Sequence, residues 1–140
     1  MNADLACQRA FNRLARVGFD NLTEREKTLA TVWKLEAAVE NGGFLRYFSS
    51  AAGDMAFHGP VAFETIGARH MAEIATRANA VFGPGGPPRD RDSRRELVRG
   101  FSDETRRVLD ALDNQFLESP DDTDPLIDAY LARTVSAVNP

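Results

Sequence analysis

Apolar residues recur at three- and four-residue spacing along nearly the whole chain. Cys7, Ala10, Phe11, Leu14 and Val17 form one stripe with arginines opposite, the pattern of an amphipathic helix. Residues 18–22 break it. Thr23 followed three residues later by Glu26 has the form of a capping box, in which each side chain satisfies a free backbone N–H at a helix start. A second helix is therefore predicted from near Glu24, with an apolar face of Leu29, Val32, Trp33, Leu35, Ala38 and Val39. It closes at Asn41, Gly42 and Gly43, where glycine can take the left-handed conformation that ends a helix. Phe44, Tyr47 and Phe48 fit a short third helix, and the small, polar residues 49–54 read as a loop. Pro60 suits the first turn of a fourth helix, continued by Val61, Ile66, Met71, Ile74, Ala75, Ala78 and Phe82, with Gly67 a break into two.

Residues 83–88 read GPGGPP, which cannot continue a helix, and with the following RDRD they predict a mobile Gly/Pro loop over 83–92. Leu97, Val98 and Phe101 make a helical turn that docks on the core. Ser102 is placed to cap a long helix through Val108, Leu109, Leu112 and Phe116. Asp124 before Pro125 opens the last helix, with a face of Leu126, Ile127, Tyr130, Leu131, Thr134 and Val138. No segment sustains the alternation of a strand, and no internal repeat is present. The pattern predicts an all-α fold: one helical domain over residues 1–140 with about six to eight helices.

Composition narrows the class. With 43% hydrophobic and 27% charged residues, the 140-residue chain has the make-up of a water-soluble packed domain. The N-terminal stretch carries Asp4 and three arginines among its apolar positions, unlike a signal peptide, and no window reaches the roughly eighteen apolar residues of a membrane span. A cytoplasmic location without membrane contact is expected. A net charge of −4 has the wrong sign for direct nucleic-acid binding.

Candidate chemistry is sparse. Cys7 is the only cysteine and lies on an apolar face, which reads as a plain buried thiol. His70 has Glu73 three residues on, a spacing that can put two ligands on one face, but a metal site takes about three or four ligands. Neither a nucleophile elbow nor a phosphate loop is present. No catalytic residue, metal or cofactor is assigned. Glu36 and Glu40 share one helix face near a C-terminal end, where they oppose the helix dipole, so a cation such as Arg46 or Arg69 is expected beside them.

Charge is distributed unevenly. From Arg77 to Arg99 there are six arginines against Asp90, Asp92 and Glu96, whereas from Asp113 to Asp128 there are six acids and no base. Those acids are Asp113, Glu118, Asp121, Asp122, Asp124 and Asp128. Asp124 as an N-cap and Asp128 as a helix-start acid account for part of the patch. Upstream, Asp103 with Arg107 and Arg106 with Asp110 are four apart and are expected to neutralise each other.

Taken together, LEAAVENGGFLRYFSSAAGD over residues 35–54 and IGARHMAEIATRANAVF over residues 66–82 resemble the bacterial DNA-mimic-protein-like family. The matching positions are Asn41, Gly42, Gly43, Phe44, Tyr47, Phe48, Gly53, Asp54, Ile66, Gly67 and Ala68. A weaker likeness, including Phe116 and a closing helix ending at Asn139, covers most of the chain. The resemblance implies an all-α fold, a homodimer, and a protein that copies the negative surface of duplex DNA to occupy the DNA-binding face of a transcription factor.

Two functional readings stand open. In the first, a non-enzymatic regulatory protein docks an acidic surface, built from the six acids between Asp113 and Asp128, on a basic protein partner that itself binds DNA. In the second, a small-ligand binder or enzyme uses a pocket beside the Asn41, Gly42 and Gly43 turn, with Glu36, Glu40, Asn41 and Tyr47 as its polar groups.

Overall fold

The computed structural model describes residues 2–138. Seven α-helices carry the fold, and no strand occurs among the described residues. They are α1 (Ala3–Val17), α2 (Glu24–Ser49), α3 (Gly59–Thr65), α4 (Arg69–Asn79), α5 (Arg91–Arg99), α6 (Asp103–Leu117) and α7 (Thr123–Val138). The side chain of Val138, and Asn139, lie outside the described residues.

Helix starts follow the local chemistry of the sequence. Asn2 caps α1 through the Leu5 N–H, Asp90 caps α5 through Ser93, and Ser102 caps α6 through Thr105. At α2 both halves of the Thr23–Glu26 capping box are made. Pro60 sits in the first turn of α3. The final helix begins one residue before Asp124, so Asp124 is a first-turn acid rather than the cap.

Three elements differ from the periodicity. The short third helix is the tail of α2, set off by a single non-helical residue, Gly43, at φ 79°. Residues 49–54 are not a loop: Ala51–His58 winds as a 3-10 coil, a tight geometry that small side chains tolerate. The Gly/Pro loop ends at Asp90, because Asp90 caps α5 and draws Arg91 and Asp92 into the helix.

α2 is the central strut, packed against α1, α3, α5, α6 and the 3-10 coil. Its buried residues include Leu29, Val32, Leu35, Val39, Phe44, Tyr47 and Phe48. A chain of edge-on rings runs through the core: Phe63 meets Phe116, Phe116 meets Phe44, and Phe48 meets Phe82, with centroids 4.8–5.8 Å apart. Phe82 then contacts Phe101, so this ring system ties α2, α3 and α6 to the segment before α6.

Candidate functional site

The hallmark residues form a packed joint. The Gly43 kink frees the Phe44 N–H from the helix ladder, and Asp113 of α6 accepts it at 2.7 Å. A Cβ on Gly43 would run into the Asp113 carboxylate, so glycine is needed here for φ and for space. Burial raises the Asp113 pKa, the Phe44 N–H opposes that shift, and Asp110 adds to it. Phe44, Tyr47 and Phe48 are core residues. The Tyr47 hydroxyl is enclosed without a hydrogen-bond partner among the described residues, and burial pushes its pKa up. Asn41 is exposed and donates its amide to the Ala37 carbonyl at 2.8 Å. It borders a shallow depression with Lys34, Arg46 and Ser50.

Asp54 closes the second half of the joint. It accepts two hydrogen bonds from Arg91 and one from Arg94. Arg94 has no exposed surface. All five of its N–H groups are engaged: besides Asp54 they reach the carbonyls of Phe48, Ser50, Pro88 and Arg89. A Cβ on Gly53 would strike the Tyr47 carbonyl and the Arg94 guanidinium. Burial works against the Asp54 charge, but hydrogen bonds from Arg91 and Arg94 outweigh it and hold the carboxyl below its usual range. Gly53 and Asp54 thus seat one buried arginine from α5.

The other candidate acids fall into two groups. Asp113 and Asp121 are structural acceptors, Asp121 taking the Met71 N–H at the start of α4 at 2.9 Å. Glu118, Asp122, Asp124 and Asp128 are exposed, and none makes an ion pair among the described residues. Asp124 also meets a set that the sequence separates by more than eighty residues. Asp4 of α1, Glu36 and Glu40 of α2 and Asp124 of α7 line one cleft of about 160 Å³, floored by Ala3, Cys7, Trp33 and Ile127. No lysine, arginine or histidine lines it.

The electrostatics of that cleft are visible in the half-buried Glu36 and the buried Cys7. Burial pushes the Glu36 carboxyl up to about 7, a Thr123 hydrogen bond opposes the shift, and Glu40, Asp124 and Asp122 reinforce it. The Cys7 thiol is pushed up to about 12, first by burial and then by Glu36, Asp4 and Asp124. That makes Cys7 an inert core thiol. The cation expected beside Glu36 and Glu40 is not there: Arg69 pairs with Glu64, and Arg46 makes no ion pair among the described residues. Sequence reasoning missed Asp4, although its spacing of three from Cys7 places it beside the buried stripe.

The remaining candidates go separate ways. His70 shares a 2.8 Å hydrogen bond with Ser119, while Glu73 pairs with Arg77 at 2.6 Å. Among the described residues no cluster of three metal-ligating side chains forms. Arg106 donates to the carbonyls of Phe101 and Val98 instead of pairing with Asp110. Asp103 and Arg107 form no ion pair either. Among the described residues no helix is long and apolar enough to cross a membrane.

A family model described as DMP19-like protein matches residues 20–134, most of the 140-residue chain. No curated protein and no solved structure matches. The chain belongs to the DMP19-like family, a family of DNA-mimic-like proteins.

Proposed function

We propose that this member of the DMP19-like family is a non-enzymatic docking protein that presents carboxylates to a basic protein partner in the manner of duplex DNA. The carrying observation is the convergence of Asp4, Glu36, Glu40 and Asp124, from three helices, around one cleft without a basic side chain. Asp122 lies close enough to add to the field on Glu36, and Asp128 extends the surface one turn along α7 from Asp124.

The physics of imitation is charge density. Duplex DNA presents about one negative charge per 1.7 Å of its axis. A protein approximates this only where several unneutralised carboxylates gather, and such gathering is disfavoured unless a partner supplies cations. Burial is the main cause of the raised Glu36 pKa, and repulsion from Glu40, Asp124 and Asp122 adds to it. A basic face that binds phosphates would relieve it, with association steered by charge and weakened by salt.

The test is affinity capture from the source cell at low ionic strength, with and without added duplex DNA. Under this reading the captured proteins are DNA binders, and duplex DNA releases them. Retention of the same proteins in excess DNA would contradict it.

A further inference from the structure

A second cleft, of about 500 Å³, lies towards the opposite end of α1 from the acidic one, with the edge-on pair Phe11 and Trp33 between them. Its size falls within the usual range for small-molecule sites. The wall is apolar, from Phe11, Leu14, Phe19 and Met55, and the polar groups are Lys34, Arg89, Arg91 and Asp54. Three cations therefore face one carboxylate.

The existing pairs leave one of those cations over. Asp54 is held by Arg91 and by Arg94 behind it. Arg89 pairs with Asp20 at 3.0 Å and stacks 4.4 Å from the centre of the Phe57 ring. The Lys34 ammonium makes no hydrogen bond or ion pair among the described residues. Its ammonium sits 4.1 Å from the centre of the Phe11 ring, a cation–π contact that satisfies none of its three N–H donors. Lys34 lines the same cleft as the apolar side chains of Phe11, Leu14, Phe19 and Met55.

We propose that this cleft binds a small amphipathic organic carboxylate, with its anionic head on Lys34 and its apolar body against Phe11, Leu14 and Phe19. The site is separate from the acidic docking surface, so each can fail without the other. Partial burial, opposed by Asp54, lowers the Lys34 pKa, in keeping with an ammonium that gains from an anion.

The test is titration of the full chain with naphthoate, followed by two-dimensional amide NMR, alongside naphthamide and acetate. Naphthoate is expected to shift the amides of Phe11, Phe19 and Lys34 and to saturate. Naphthamide, which keeps the body without the charge, and acetate, which keeps the charge without the body, are each expected to bind at least about tenfold more weakly. Lys34→Gln is expected to lose about tenfold in naphthoate affinity, and Lys34→Arg to retain most of it. Equal binding of naphthamide and naphthoate by the unaltered chain would overturn the proposal, whatever the variants do. So would shifts confined to other parts of the molecule, or no saturation with millimolar naphthoate.

Discussion

Arg94 shows how much one side chain can hold. Its guanidinium is enclosed and bonds four backbone carbonyls from two stretches of chain, together with Asp54. Replacing it with methionine would leave those acceptors buried and unpaired, so Arg94→Met is expected to cost about 3–5 kcal/mol. Arg99→Met, which removes only an exposed pair with Glu96, is expected to change stability by less than about 0.5 kcal/mol. Urea unfolding of both variants checks the contrast. Glu36 is the second telling residue. Its folded pKa is raised to about 7, so the native state holds a proton that the unfolded chain has released. Stability then falls as pH rises from the ordinary carboxyl range to about 7, and the cost persists above it. Glu36→Gln is expected to flatten that slope and to stabilise the fold by about 1–3 kcal/mol at pH 8, with little change at pH 4. Denaturation at the two pH values reads it directly. Neither role was legible in the sequence. Arg94 is one arginine of six in a charged run, and only the carbonyls it meets across more than forty residues distinguish it.

At the scale of elements, the helices were read well and their junctions less well. The capping box at Thr23, the cap at Ser102 and the break at Gly67 are local devices, with the residues that make them within a few positions of each other. The kink in α2 is half local. Its glycine is evident, but its acceptor, Asp113, lies on α6 and cannot be inferred from spacing. Gly43→Ala is expected to cost about 2 kcal/mol or more, through strain at positive φ and collision with Asp113. Asp113→Ala alone is expected to cost about 1–2 kcal/mol by stranding the Phe44 N–H. Because the two changes share one contact, the double variant should cost less than their sum, and a thermodynamic cycle from denaturant melts measures the difference. The first half of the 3-10 coil, residues 51–54, was read as a loop because its small residues carry no helical periodicity.

On the scale of the whole molecule, charge is segregated along α1. One end borders the acidic cleft and the other the cationic cleft. Half of this was legible. The acid-rich final third contributed Asp122 and Asp124, but folding brings them to Glu36, Glu40 and Asp4 and diverts Asp113 and Asp121 into helix capping. The fifteen arginines do not cancel the acidic face because many are engaged elsewhere, on carbonyls or on acids outside it. Capture of a basic partner is therefore expected to weaken steeply between low and physiological ionic strength, as measured by binding at stepped salt.

The most direct measurement replaces the cleft's charge while keeping its shape. Asp4→Asn, Glu40→Gln, Asp122→Asn and Asp124→Asn in one chain should fold like the parent by amide NMR. In a low-salt pull-down it should no longer retain the DNA-displaceable proteins that the parent captures. If this neutralised chain recovers the same proteins in the same amounts, the carboxylates are not what the partner reads.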